Sequence, residues 1–203
     1  MGDDRGAIET TIQEAFNAQA FERAATLAIE HYGPELLGFV SHLLRDPDAG
    51  AEAFAEFSEV FWRSLPSFEW RCSMRTWVYK LARRTAIQHQ RRERRQQHAA
   101  ITRPSQLTAA IDRVRTATAA HLRTDVKDRF QALRGKLSSE DQTLLILRVD
   151  RGLNWRELAE VLLESHEDRP TDKQLVTEAA RLRKRYQLAK ARVRELLEQE
   201  GLL

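Results

Sequence analysis

The chain has 203 residues, 31% of them charged, with a formal net charge of +3. Its one cysteine, Cys72, excludes an internal disulfide and a cysteine-rich zinc site, which fits a reducing compartment. No apolar run approaches the roughly 18 residues of a helical membrane span, so no membrane partner is expected, and the acidic first residues lack a secretory pattern.

Glycine and proline are scarce, strand-like alternation is absent, and Ala, Leu, Glu, Arg and Gln dominate. That composition predicts an all-α, soluble, cytoplasmic protein, and the order of its segments is expected to make two small helical domains, 1–97 and 124–203, joined by a linker at 98–123. Charge divides unevenly between the two ends. Residues 1–70 hold four Lys or Arg against thirteen Asp or Glu, whereas 71–203 hold twenty-nine against seventeen. An acidic front and a basic back suit two kinds of partner, a basic protein surface and a polyanion.

In chain order, residues 1–10 are polar and expected to fray. Ile12, Ala15, Phe16, Ala20, Leu27 and Ile29 predict one or two helices over 11–31, interrupted near 17–21. Gly33-Pro34 reads as a break before an apolar helix over 35–45. Asp46-Pro47-Asp48 reads as a turn, with Asp48 capping the next helix. In that helix, 49–65, Phe54, Phe57, Phe61 and Leu65 recur at three, four and four as one buried stripe. Glu52, Glu56 and Glu59 form an acidic flank beside it.

Pro66 and Ser67 open a loop that carries Phe68 and Trp70. Met74, Trp77, Val78, Leu81 and Ala82 then give a helix its inner face, Trp77 being structural. Lys80, Arg84, Arg91 and Arg95 recur on an outer face, flanked by Arg83, Arg92 and Arg94. An aromatic loop heading a basic amphipathic helix suits an unpaired, stackable nucleic acid strand. Phe68 and Trp70 divide between core packing and base stacking, and a basic face by itself is usually just solvated.

Arg103-Pro104-Ser105 marks a boundary, and helix returns from Ala109 to Leu137, breaking near Thr124-Asp125. Ser138 or Ser139 caps the next helix, the latter with Gln142 in capping-box position, and Leu144, Leu145, Leu147 and Val149 are expected to be buried before Gly152 ends it. Asn154 and Glu157 form a second capping-box pattern. A polar stretch, 164–177, precedes the last helix, with a helical turn of its own expected at 172–176. Ala179, Leu182, Tyr186, Ala189, Val193 and Leu196 give that last helix a continuous inner face. No acidic residue occurs from Arg181 to Arg194. A short helix followed by a long basic one predicts a helix-turn-helix whose second helix enters the major groove. Arg181, Arg183, Arg185 and Gln187 carry base-reading chemistry, while Lys184 and Lys190 suit phosphate.

The order of these segments resembles the extracytoplasmic-function (ECF) sigma factors, over roughly 30–95 and 125–200. Glu59-Val60-Phe61 resembles the tail of the family's polymerase-docking helix, with Ala55 and Ser58 where Asp and Gln are usual. Trp77 to Arg83, then Arg91-Arg92, resemble its promoter-opening helix, with Arg84 and Gln88 replacing the usual Asn and Asp. Leu137 to Gln142 and Gly152 to Ala159 resemble region four, with an atypically long connection after them.

The resemblance implies a protein that brings core RNA polymerase to promoter DNA and opens it. Polymerase contact is then expected at Glu52, Glu56, Glu59, Trp62 and Arg63. Contact with the minus-ten element is expected at Phe68, Trp70, Arg71, Arg75, Lys80, Arg83, Arg84, Gln88, Arg91 and Arg92. The residues of the last helix would read the minus-thirty-five element. An anti-sigma protein is a further partner of the family, and the free chain is expected to be a monomer. The competing reading is a free-standing helix-turn-helix regulator, which gives no role to the acidic flank or the aromatic loop. His31, His42, His89, His98, His121 and His166 fall in no ligand or catalytic spacing and are expected at the surface or in linkers. No enzyme activity, metal or cofactor is therefore expected.

Overall fold

The computed structural model describes residues 3–93, 108–114, 136–163 and 170–199. It is all-α, with no strand among the described residues. The chain divides into two compact units, Met1–Leu122 and Arg123–Leu203.

In the first unit, α1 (Asp3–Asn17) and α2 (Phe21–Leu44) are joined through Gln19, whose φ is 57°. Helix α3 (Pro47–Ser64) runs into a short 3₁₀ turn, Leu65–Ser67, and α4 (Met74–Glu93) follows the loop. Helix α2 is central, packing on α1, α3 and α4, and α3 packs on α4. The phenylalanine stripe behaves as its spacing requires. Phe54, Phe57, Phe61 and Leu65 are all fully buried, with Phe57 and Phe61 stacked at 5.8 Å between centroids. Each such ring contributes about 3–5 kcal/mol, judged by what truncation to alanine costs. Between α2 and α3, Gly50 lies against Ser41. A Cβ there would sit 2.5 Å from the Ser41 Cα, so only glycine allows this approach.

Four local expectations are corrected here. Gly33-Pro34 does not break the chain, since α2 continues through it. Pro34 is exposed, and Gly33 has no Cβ to clash with the proline ring, so the cost of one lost hydrogen bond is outweighed by buried residues on both sides. Asp46, not Asp48, is the N-cap of α3. Its Oδ1 accepts from Asp48 N and Ala49 N, because Pro47 takes the first helical position, where no N–H is needed. The first ten residues are helical from Asp3, held by tertiary contacts of Glu9. His89 is buried at 1% exposure, not at the surface, because α4 turns it toward α3.

Residues 108–114 are also helical and belong to this unit, with Ala110 and Ile111 fully buried and Val114 against Gly33. The rest of the long helix expected up to Leu137, and most of the expected linker, lie outside the described residues.

In the second unit, α5 (Ser139–Leu145) leads into a π turn, Ile146–Asp150, followed by α6 (Trp155–Leu162) and α7 (Asp172–Gln199). Helix α7 packs on both α5 and α6. Leu144, Leu147, Leu153, Leu158 and Leu182 are buried, and a further cluster joins Leu137, Leu145, Ala189 and Leu196. Ser138 caps α5 by accepting from Asp141 N, while Gln142 turns inward and donates to Leu137 O. The Ser139–Gln142 capping box is therefore not formed. Gly152 closes the turn at φ 68°, as its position suggested, and the Asn154–Glu157 capping box is complete. Val149 is 57% exposed rather than buried. The wider π turn inserts extra residue rotation and swings it out of phase with Leu145.

The connection to α7 is also shorter than the sequence suggested. Residues 172–176 are the first turn of α7 itself, started by Thr171, whose hydroxyl accepts from Gln174 N while Gln174 Oε1 accepts from Thr171 N. Residues 164–169 lie outside the described part.

Candidate nucleic-acid and polymerase interface

The loop before α4 gathers aromatics from three elements. Phe68 is buried and stacks on Trp77 of α4 at 4.3 Å, with the planes 15° apart. Trp70 lies 5.0 Å from Phe68 and edge-on to Phe16 of α1 at 5.7 Å. The two expected stacking residues thus differ. Phe68 is committed to packing, whereas Trp70 is only half-buried. Trp70 also holds φ at 54°, a conformation rare for a bulky side chain, and its buried Nε1 has no hydrogen-bond partner among the described residues. Phe16 was visible in the sequence only as one apolar residue among several.

Helix α4 presents Lys80, Arg84, Gln88 and Arg91 at spacings of four, four and three along one outer face. At about 1.5 Å per residue that stripe is roughly 16 Å long. Arg84, Gln88 and Arg91 are exposed, and Lys80 and Arg83 are half-buried. Such a row suits the backbone of a strand more than base edges. Arg71 is exposed in the loop and pairs with Glu69 at 2.7 Å.

Arg75 does not join them, which corrects its expected place on the DNA side. It is 7% exposed, and its Nε and Nη2 donate to both oxygens of Glu35 at 3.0 and 3.1 Å. The guanidinium also lies over the Tyr79 ring at 5.4 Å. At the second position of α4, its side chain points back onto α2, so it holds the two helices together.

On α3, Glu52, Glu56, Glu59 and Arg63 recur at four, three and four and share one face. Glu52 and Arg63 are exposed, and Glu59 and Trp62 are half-buried. Glu56 is engaged within the unit. Its Oε1 meets His89 Nδ1 at 3.0 Å, and its Oε2 accepts from Arg92. Glu52 Oε2 lies 4.0 Å from His89 Nε2. The acidic flank of α3 and the basic end of α4 are therefore partly each other's partners. A lone histidine in a basic helix gave no sequence signal for this.

In the second unit, Trp155 anchors the start of α6. Arg148 and Arg183 place guanidinium carbons 4.8 and 5.6 Å from its ring centroid, and Tyr186 meets it edge-on at 5.6 Å. Lys184, Gln187 and Lys190 are exposed on α7, with Lys190 Nζ 5.2 Å from the Tyr186 ring centroid. Arg181 is exposed but forms a two-pronged pair with Glu178, at 2.8 and 2.6 Å. Arg185 faces inward. Its Nε donates to Asp141 Oδ1 at 2.7 Å, and it also reaches Glu140 and Ser138. Burial acts to lower the Arg185 pKa, but the hydrogen bond and charge of Asp141, with Glu140, hold it above its ordinary value. The side chain ties α7 to α5. Of the six residues expected to face the upstream element, the outer surface of α7 thus brings together Arg183, Lys184, Gln187 and Lys190.

Residues 28–96 match the family model for Sigma-70 region 2. The matched segment runs from within α2 through α3, the aromatic loop and α4. It supports a sigma-70 family factor acting in RNA polymerase binding and promoter melting, with core polymerase and promoter DNA as partners. No curated protein matches the chain significantly. Among the described residues no helix is long and apolar enough to cross a membrane.

Proposed function

We propose that this chain is a sigma factor of the ECF type, working as a two-module promoter reader. The first unit docks on core polymerase through the outer face of α3, with Glu52, Glu59, Trp62 and Arg63, and opens the minus-ten element with Trp70 and the α4 stripe. In the second unit, α6 and α7 act as a helix-turn-helix on the minus-thirty-five element, with Arg183, Lys184, Gln187 and Lys190 toward DNA and Arg181 beside them. The observation that carries the reading is the region 2 match, which covers the whole of α3, the aromatic loop and α4. Opening DNA costs a few kcal/mol per unstacked base, offset by aromatic stacking and phosphate pairing. An anti-sigma protein that covers the α3 and α4 faces would hold the chain inactive.

The deciding experiment is binding of the purified chain to core RNA polymerase, beside a Glu52→Lys, Glu59→Lys variant. Glu56 is left intact because it holds His89. One-to-one binding weakened by the double reversal is the expected result. Failure to bind polymerase, with retained affinity for duplex DNA, would favour a free-standing regulator.

A further inference from the structure

Helix α1 reaches the aromatic loop at two points on one of its faces. Glu9, Ile12 and Phe16 recur at three and four residues, which aligns them along the helix. Phe16 packs edge-on against Phe68 and Trp70, at 6.4 and 5.7 Å. Two turns earlier, the Glu9 carboxylate sits over the first residues of α4. Its Oε2 accepts from Met74 N and its Oε1 from Arg75 N, both at 2.9 Å. The Tyr32 hydroxyl donates to Oε1 at 2.7 Å and fixes the carboxylate from α2. The next donor, Thr76 N, goes to Ser73 Oγ at 3.1 Å, and Trp77 N begins the helical ladder at Ser73 O. Two of the first amide donors of α4 are thus held by a side chain 65 and 66 residues away in sequence.

We propose that Glu9 is a positioning residue for promoter opening: it fixes the start of α4 and, through it, the loop that presents Trp70. The proposal rests on the sigma-factor reading above. The loop from Phe68 to Ser73 is short, and both its ends are pinned, one by Phe68 on Trp77 and the other by Glu9 on Met74 and Arg75. A bulky residue at positive φ persists only where its surroundings over-determine it, and Trp70 is such a residue. Freeing the first turn of α4 lets residues 70–73 relax and carries the Trp70 ring away from its set position. Glu9 also occupies a natural anion site. Its negative charge stands at the N-terminal end of α4, where the helix dipole favours it.

The test uses the full chain with core polymerase and a duplex that the wild-type holoenzyme selects from a random-sequence pool. Transcription is compared on that duplex and on a copy carrying a preopened bubble. Loss of a cap of this kind predicts that Glu9→Ala lowers duplex transcription about ten-fold and bubble transcription less than about two-fold, with polymerase affinity unchanged. Glu9→Gln keeps one acceptor oxygen and should fall between them on the duplex, which covers the case in which the alanine variant folds poorly. In the free chain, amide exchange at 70–76 should quicken in Glu9→Ala while exchange in α3 does not. Equal losses on duplex and bubble, no loss on the duplex, or uniformly faster exchange across the unit would each overturn the proposal. A wild-type chain that selects no duplex refutes the sigma-factor reading itself, and the exchange pattern then decides separately whether Glu9 holds the loop.

Discussion

Reversing the charge of Glu56 should cost far more stability than reversing its neighbours on the same helix face. Glu56 Oε1 accepts at 3.0 Å from Nδ1 of His89, which is 1% exposed, and its second oxygen pairs with Arg92. A lysine there leaves the buried imidazole without that partner, at about 1–3 kcal/mol, and turns the Arg92 contact from attraction to repulsion, at up to about 1 kcal/mol. The sum, roughly 1–4 kcal/mol, is a large share of the 5–15 kcal/mol typical of a domain. At about 4–8 °C per kcal/mol, the middle of that range lowers the melting point by roughly 10 °C. Glu52 is exposed and Glu59 half-buried, so Glu52→Lys and Glu59→Lys should each change stability by less than about 1 kcal/mol. Urea unfolding of the full chain, followed by tryptophan fluorescence, measures all three. Equal stabilities would refute the view that Glu56 joins α3 to α4 through His89. Loss of polymerase binding in Glu56→Lys alone would then need a contact explanation rather than a folding one.

Three further outcomes follow from the packing. Arg185→Ala should destabilise the second unit by about 1.5–3 kcal/mol, because Asp141 and Glu140 lose a charged donor, whereas Lys184→Ala should stay within about 0.5 kcal/mol; denaturant melts of the two variants check this. Gly50→Ala should cost about 1–3 kcal/mol, since its Cβ would meet the backbone of Ser41, and a wild-type melting curve would contradict that close approach. The pH dependence of the first unit follows from Tyr32, whose pKa is raised by burial first and then by the Glu9 hydrogen bond. The folded state then keeps a proton that the unfolded chain gives up near about pH 10, so stability is full below that pH and falls above it, by up to about 1.4 kcal/mol per unit. Tyr32→Phe should remove this part of the alkaline loss, and an unchanged slope in that variant counts against it.

Local patterning was enough for the helices and most of their buried faces. The phenylalanine stripe of α3, the inner face of α7 and the Asn154 capping box depend on residues within a few turns of one another, and short-range periodicity encodes such features directly. It also placed the aromatic loop ahead of a basic helix, both within the segment matched to Sigma-70 region 2. Which charged side chains face outward depends instead on packing between helices. Arg75 and Arg185 look like their exposed neighbours in the sequence, but Glu35 lies 40 residues from the first and Asp141 lies 44 from the second. Pro34 stays within a helix because neighbouring helices cover its flanks, and Glu9 reaches α4 from another element. Pairings of this kind depend on how helices pack, and the spacing of residues along one helix carries no information about what stands opposite it.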